Sequence, residues 1–186
     1  MAGGAGGLMP PAAVGAWRMT VYSVSKLISE ARRLARDYRR ATGKPLGGVG
    51  AEIAQHDAAR LLDLELCRAA GYDAVGRGPR AGRRIQIKGR ALFDGARGNP
   101  RIGQIRPEQA WDSLVLVLMD ADYEPVEIYE AERDVVLAEL AAASDGRRRR
   151  GALSVARFRR IGRLVWSHAE GVVRDEVWDN LRDGGA

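Results

Sequence analysis

The sequence predicts a mixed α/β domain in which helices flank a central sheet, with an N-terminal helix before it and a basic helical extension after it. Apolar residues recur at helical spacing near both ends of the chain, while alternating or continuous apolar runs, typical of strands, lie between them. The longest run, LVLVLM at 114–119, is typical of a strand buried on both faces. With 186 residues, 46% of them hydrophobic, the chain can bury one substantial core.

The predicted segments follow one another in four regions. Residues 1–18 form a tail rich in Gly, Ala and Pro, and residues 19–46 hold an amphipathic helix capped by Ser23 or Ser25. One apolar stripe of this helix contains Val24, Leu27, Ile28, Ala31, Leu34, Ala35 and Tyr38. The core, 47–143, has helices at 47–66, 107–113 and 132–143 and strands at 72–75, 84–90, 101–105, 113–119 and 126–129. Residues 144–186 are a basic linker followed by helices at 154–171 and 172–181.

Composition favours an anionic partner and argues against several classes of protein. The net charge is +6 at pH 7 and the pI is about 10, which favours nucleic acid. The single cysteine, Cys67, excludes an internal disulfide and a Cys-rich zinc site. No apolar run is long enough to span a bilayer, and the N-terminus lacks the features of a signal peptide. We therefore expect a cytoplasmic protein without a membrane partner.

Four residues form the most informative pattern in the chain. Glu52 lies in the first turn of a predicted helix, Asp73 at the following strand, and Gln86 and Lys88 on the strand after that. Because side chains alternate across a strand, Gln86 and Lys88 share one face, while Ile85 and Ile87 point into a core. Carboxylate, amide and carbonyl oxygens are suitable ligands for Mg²⁺, and a neighbouring ammonium can stabilise charge that develops on a phosphate.

This order of residues resembles the PD-(D/E)xK nuclease superfamily, and the Gln of the Q-x-K segment is similar to that of its Mrr-type restriction endonuclease branch. The resemblance covers roughly residues 47–130. It implies a restriction-endonuclease-like fold and a divalent-metal-dependent endonuclease that hydrolyses DNA phosphodiester bonds with Mg²⁺ or Mn²⁺. It also implies metal ligation by Glu52, Asp73, Gln86 and the backbone carbonyl of Ile87, with Lys88 assisting the attack on phosphorus.

Two basic segments are candidates for contacts with nucleic-acid phosphates. These are the run Arg147, Arg148, Arg149 and Arg150, and the basic face formed by Arg157, Arg160 and Arg163. Phosphate contacts give affinity but do not read sequence, and no base-reading module is visible. The small size of the chain suits a homodimer or a subunit of a larger complex.

Two other interpretations fit the same residues. The chain can be a catalytically inactive protein of this fold that binds nucleic acid or a protein partner. Alternatively, Asp73 is a strand-end residue, Gln86 and Lys88 form the solvent side of a strand, and Glu52 is a helix acid favoured by the macrodipole. The chain has no Ser-His-Asp order, no H-E-x-x-H motif and no phosphate loop ending in Lys-Ser/Thr, which argues against those catalytic classes.

Overall fold

The computed structural model describes residues 23–93, 98–142 and 152–173, which form a mixed α/β fold. Its helices are α1 (Val24–Thr42), α2 (Val49–Leu62), α3 (Arg133–Ala141) and α4 (Val155–Ile161), with a short 3-10 helix at Gly78–Arg80. Its strands are β1 (Leu64–Leu66), β2 (Ala74–Gly76), β3 (Arg84–Ala91), β4 (Arg101–Gln104), β5 (Ser113–Met119), β6 (Pro125–Glu132), β7 (Ala152–Ser154), β8 (Arg163–Ser167) and β9 (Gly171–Val172). None of the described helices has the length and hydrophobicity needed to cross a lipid bilayer.

Seven strands form one mixed sheet in the order β1-β2-β3-β5-β6-β8-β9. β3 and β5 run parallel, and the other neighbouring strands in this sheet run antiparallel. β4 and β7 form a separate two-stranded antiparallel sheet. The strand that carries the Q-x-K segment, β3, therefore lies between β2 and β5, well inside the sheet.

Two hydrophobic clusters cover the two faces of the main sheet. On one face, Ile85 and Ile87 of β3 pack with Val115 and Val117 of β5 in a cluster that includes residues of α1 and α2. On the other face, the alternate β5 residues pack with α3 and α4. All seven residues of β5 are buried, as the continuous apolar run predicts. The alternation of β3 is confirmed as well, because Gln86 and Lys88 lie on the face opposite Ile85 and Ile87.

The approach of α2 to β3 depends on a glycine in the strand. A Cβ atom built at Gly89 would lie 2.4 Å from the Cβ of Ala54 and 3.0 Å from the carbonyl oxygen of Gly50, both in α2. A larger residue at Gly89 would thus force the helix away from the sheet. Because of this close contact, the next turn of α2 lies near the side of β3 that faces β2.

A buried ion pair joins α1 to α2. Arg32 donates two hydrogen bonds of 3.0 Å to the carboxylate of Asp57, and its other terminal nitrogen donates to the carbonyl oxygen of Tyr123. The Asp57 side chain is 1% exposed, so removing Arg32 would leave a buried charge without its main partner. α1 is thereby attached both to α2 and to the turn before β6.

The predicted helix at 107–113 is wrong. The structure has turns and extended chain there, with Trp111 fully buried. The guanidinium of Arg133 donates hydrogen bonds to the carbonyl oxygens of Pro107, Gln109 and Trp111. Arg133 therefore satisfies carbonyl groups that a helix would pair with its own N–H groups.

The predicted helical extension at the C-terminal end is wrong after Ile161. Gly162 has extended backbone angles, φ −90° and ψ 150°, and the chain continues as β8, which pairs with β6 in the main sheet. The predicted helix at 47–66 ends at Leu62, and residues 64–66 form β1 at the edge of the sheet. The strand predicted at 101–105 exists, but it pairs with β7 outside the main sheet.

The predicted tail at 1–18 and the arginines at 147–150 lie outside the described residues. The same is true of most of the helix predicted at 172–181, although Val172 itself belongs to β9.

Candidate functional site

Asp73 immediately precedes β2, at the end of β2 where its pairing with β3 begins. The pairing of β2 with β3 reaches Ala74 opposite Ile85, and Asp73 immediately precedes it. The backbone N–H of Asp73 donates to the carbonyl of Ile85 over 2.9 Å, and its Oδ2 accepts a 2.7 Å hydrogen bond from the N–H of Ile87. Because the N–H and C=O of one strand residue point to the same side, the Ile87 carbonyl also points towards this edge.

A polar cleft of about 380 Å³ opens beside this edge. It contains three of the residues assigned from the sequence, namely Asp73, Gln86 and Lys88. The described residues that line it are Ala69, Gly71, Tyr72, Asp73, Gln86, Lys88, Gln104, Arg106 and Gln109. The fold thus brings the acid before β2 and the polar face of β3 to one concave surface.

The Gln86 side chain is buried with one polar atom unsatisfied. Gln86 is 5% exposed, and its Nε2 donates to the carbonyl oxygen of Gly71 over 3.3 Å. Its Oε1 is buried and has no hydrogen-bond partner among the residues that the structure describes. With the amide rotated by 180°, Oε1 of Gln86 would lie against the carbonyl oxygen of Gly71, and two acceptors repel. The orientation that directs Nε2 towards Gly71 is therefore favoured. An unsatisfied buried acceptor costs about 1–3 kcal/mol, and a cation ligated by this oxygen would remove that cost.

Lys88 is partly buried near one negatively charged group, Asp73, and one positively charged group, Arg106. Burial lowers the pKa of Lys88 below the ordinary value for lysine, because the ammonium loses hydration. The charge of Arg106 lowers the pKa further, while the carboxylate of Asp73 opposes both effects. The Lys88 ammonium therefore lies within electrostatic range of Asp73 and Arg106, on the polar face of β3.

Helix α2 contributes Gln55, and not Glu52, to the surroundings of Asp73. Gln55 Nε2 donates a 3.1 Å hydrogen bond to Oδ1 of Asp73. Glu52 is exposed in the first turn of α2 and does not belong to the cleft lining. The helix was predicted, but with Glu52 as its site residue, and Gln55, three residues further along, was not predicted to reach Asp73.

The donor set fits a hard divalent cation that keeps several of its waters. Each oxygen of Asp73 accepts one hydrogen bond and retains a further lone pair, and the oxygens of Gln86 and Ile87 are neutral donors. Mg²⁺ is commonly bound by one or two carboxylates together with substrate phosphates and water. Among the described residues, no three His, Cys, Asp or Glu side chains are grouped to hold a metal ion, so Asp73 would supply the main protein charge.

One wall of the cleft comes from a segment for which the sequence predicts no functional role. Gln104 is the last residue of β4, and Arg106 and Gln109 belong to the chain between β4 and β5. The hydrogen bonds from Arg133 to the carbonyls of Pro107 and Gln109 fix this segment in place. The position of this segment depends on contacts with residues distant in sequence. A lone arginine before a proline is no pattern from which a place in the cleft could be predicted.

Two arginines of α4, Arg157 and Arg160, form ion pairs with Glu139 of α3. The Nε of Arg157 lies 2.6 Å from Oε1 of Glu139, and a terminal nitrogen of Arg160 lies 2.9 Å from the same oxygen. Arg163, the third predicted phosphate contact, is the first residue of β8 and is opposite Glu130 in the register of the sheet. None of these three residues lines the cleft.

Comparison with known proteins gives no independent assignment, since the chain matches neither a protein-family model nor a curated protein.

Proposed function

We propose that this protein is a divalent-metal-dependent endonuclease with a restriction-endonuclease-like fold, hydrolysing DNA phosphodiester bonds. The observation that carries the proposal is the buried, unsatisfied Oε1 of Gln86 in a cleft shared with Asp73 and Lys88. Buried polar atoms without partners are rare in folded proteins, and those that occur call for an explanation such as a bound ion. A cation between Asp73 and Gln86 provides that explanation.

The charge of the cleft supports an anionic substrate. Its lining includes one acid, Asp73, and two bases, Lys88 and Arg106. Without a cation the formal charge of these groups is positive, and a divalent cation would make it more so. A phosphodiester would neutralise part of this charge, as expected for a site that binds nucleic-acid backbone.

The proposed mechanism divides binding and charge stabilisation among these side chains. Asp73 Oδ1 and Oδ2, Gln86 Oε1 and the Ile87 carbonyl would hold Mg²⁺ or Mn²⁺, which when bound polarises the phosphate and stabilises developing negative charge. Lys88 would donate a hydrogen bond to the attacking water or to a phosphate oxygen, orienting it for attack. Arg106, which lines the same cleft, would bind a phosphate oxygen and fix the position of the DNA strand.

A cleavage assay with matched variants tests this proposal. Supercoiled plasmid and branched DNA would be incubated with the protein in Mg²⁺, Mn²⁺ or EDTA. We expect metal-dependent cleavage that falls by roughly 100-fold or more in Lys88→Ala, and that remains in Lys44→Ala, a control at an exposed lysine. Cleavage in EDTA, or equal cleavage by Lys88→Ala, would refute the assignment.

A second candidate is a protein that binds nucleic acid without cleaving it. The observation that favours it is that the described lining of the cleft holds a single carboxylate, because Gln86 occupies a position where a second acid would strengthen metal binding. This candidate predicts DNA binding that is unchanged by EDTA and no cleavage with either metal. The same assay, combined with a filter-binding measurement, separates the two.

A further inference from the structure

The arginines beside the cleft differ from the other described arginines because they lack partners within the fold. Most described arginines pair with an acid, and Arg133 and Arg39 instead contact backbone carbonyls and an aromatic ring. Within the described residues, the side chains with no hydrogen bond, ion pair or ring contact are those of Arg33, Arg68, Arg90, Arg101 and Arg106. Arg33 has Asp37 of its own helix within electrostatic range. The other four belong to segments that line the cleft or adjoin its lining.

Three of these arginines approach the cleft from different parts of the chain. Arg106 lines it, and Arg68 immediately precedes Ala69, which also lines it. Arg90 follows Lys88 by two residues on β3, so the alternation of the strand places both on the same face. All three are exposed. We call Arg68, Arg90 and Arg106 the cleft arginines.

An extended polyanion fits this distribution of charge better than a single small anion does. Arg106 lies close enough to Lys88 to lower the pKa of the ammonium, so the unpaired cations around the cleft repel one another. Asp73 is the one acid of the described lining, and Glu108, in the same segment as Arg106, is exposed outside that lining. Because the charges are spread over three segments, a chain of phosphates can neutralise them in succession.

The cleft also offers groups that suit a nucleobase. Tyr72 is half-buried, packs against the cluster on the α3 side of the sheet and lines the cleft. The side chains of Gln104 and Gln109 line it as well, and neither forms a hydrogen bond to a described residue. An aromatic ring beside a basic groove is the usual platform for an unpaired base, and free amides can bond to its edge.

The dimensions of the cleft favour one strand over a duplex. Its volume of about 380 Å³ is near the lower end of the range for small-molecule pockets. Gln86 is buried and Lys88 is half-buried in it, so a phosphodiester must enter the cleft to approach them. One strand with its bases unpaired can enter, whereas a duplex, whose major groove alone is about 12 Å wide, would lie across the opening.

We propose that the cleft binds single-stranded DNA, with the cleft arginines holding phosphates on either side of Lys88 and with Tyr72 stacking on one base. This inference deepens the proposed nuclease function and rests on the same site, since it names the form of DNA that the site accepts. The strand passes from Arg68, across Lys88 and Arg106, to Arg90. Stacking and phosphate contacts both tolerate any sequence, so the binding is not sequence-specific.

Fluorescence anisotropy in EDTA tests the path without requiring cleavage. A labelled single strand of about 20 nucleotides, longer than one binding site, is compared with its duplex between about 50 and about 200 mM salt. We expect the single strand to bind roughly 10-fold or more tightly than the duplex. Replacing all three cleft arginines by Gln should weaken single-strand binding roughly 100-fold and flatten its salt slope by about 2.

A triple variant with the same loss of charge is the matched control. Arg40→Gln, Arg77→Gln and Arg159→Gln together remove three exposed arginines that are paired with acids away from the cleft. This control should bind the single strand within about twofold of the wild-type affinity, because its arginines contact no phosphate. An equal loss in the two triple variants would show that net charge acts without a path, and duplex bound as tightly as single strand would overturn the assignment.

Substitution of Tyr72 separates stacking from a structural role. Tyr72→Leu should weaken single-strand binding roughly 10-fold and leave duplex binding unchanged, while Tyr72→Phe should keep the wild-type affinity. An equal loss for both forms of DNA would assign Tyr72 to the fold alone and remove it from the proposal.

The binding and cleavage measurements can fail independently. Single-strand binding through the cleft arginines, without cleavage in Mg²⁺ or Mn²⁺, would support this inference and refute the endonuclease. Metal-dependent cleavage of duplex DNA that does not change in the cleft-arginine variant would support the endonuclease and refute this inference.

Discussion

The carboxylate of Asp73 accepts a 2.7 Å hydrogen bond from the backbone N–H of Ile87, just before β2 begins to pair with β3. This contact fixes the acid against the strand that carries Gln86 and Lys88. It also places the Asp73 carboxylate on the same side of β3 as the backbone carbonyl of Ile87. The proposed cation site follows from this relationship, since Asp73 is the one acid among the described residues that line the cleft.

The first prediction separates the two candidate residues of α2. Gln55→Ala removes the hydrogen bond that holds Oδ1 of Asp73, so we expect weaker binding of Mn²⁺, by roughly 10-fold. Glu52→Ala is expected to have a smaller effect, because Glu52 lies outside the cleft lining. Calorimetric titration of Mn²⁺ into both variants gives the comparison. A larger loss in Glu52→Ala would restore Glu52 as the ligand implied by the resemblance.

The second prediction concerns the neutral amide on β3. Gln86→Glu adds a second carboxylate next to Asp73, so affinity for Mn²⁺ should rise roughly 10-fold or more. In EDTA the same variant should melt at a lower temperature, because a buried carboxylate then lies near Asp73 and the Gly71 carbonyl. Gln104→Glu, which adds the charge at an exposed part of the wall, is the control. An unchanged Mn²⁺ affinity in Gln86→Glu would place the cation elsewhere.

The third prediction distinguishes chemistry from binding. Lys88→Ala should lower kcat strongly with little change in DNA affinity, while Arg106→Ala should mainly raise KM.

The pH dependence gives the Lys88 assignment a second readout. The pKa of Lys88 is lowered by burial, so its proton is lost at a lower pH than that of an ordinary lysine. If the ammonium form is active, kcat should fall as the pH rises, and the fall should begin at a lower pH than it would for a lysine with the ordinary pKa of 10.5. Lys88→Arg should remove this alkaline limb, because arginine keeps its proton. An alkaline limb that persists unchanged in Lys88→Arg would assign it to another group.

The fourth prediction concerns the start of β3. Asp112 accepts hydrogen bonds from the backbone N–H and the guanidinium of Arg84, which lowers the pKa of Asp112 to about 2. The stability from this pair is present above the unfolded pKa of about 3.9 and is lost as the pH falls through about 2.

Urea denaturation of Asp112→Asn at several pH values tests this expectation. Both side chains are more than a third exposed, so solvent screening limits the loss at pH 7 to about 1 kcal/mol. The difference from wild type should shrink between about pH 4 and about pH 2. A difference that does not depend on pH would show that the ion pair contributes nothing measurable.

Local patterns were sufficient to predict β3, which carries Gln86 and Lys88, and its neighbour β5. The alternation along 84–90 correctly separated Gln86 and Lys88 from Ile85 and Ile87, because strand geometry alone determines the face of each side chain. The apolar run at 114–119 correctly predicted a doubly buried strand. These inferences depend only on residues that are neighbours in sequence.

Contacts distant in sequence explain what the patterns missed. The apolar residues after Ile161 fit helical spacing, but Val165 and Trp166 are buried in β8 through pairing with β6. The segment at 107–113 is held by Arg133, which no local pattern connects to it. The apolar stripe predicted along α1 is exposed over about half of its residues, because α1 packs mainly on α2 and only part of the stripe meets it.

The fifth prediction tests the central claim, a divalent cation held by Asp73 in the cleft. Electron paramagnetic resonance of Mn²⁺ measures the free ion directly as the protein is added, with and without non-cleavable phosphorothioate DNA. We expect one Mn²⁺ per chain, bound more tightly with DNA because phosphate oxygens complete the coordination, and lost in Asp73→Asn. Asp63→Asn, an exposed aspartate with a left-handed φ of 54° that Asn tolerates, should bind as wild type does. Undiminished free Mn²⁺ at millimolar protein and metal, with or without DNA, would contradict the account.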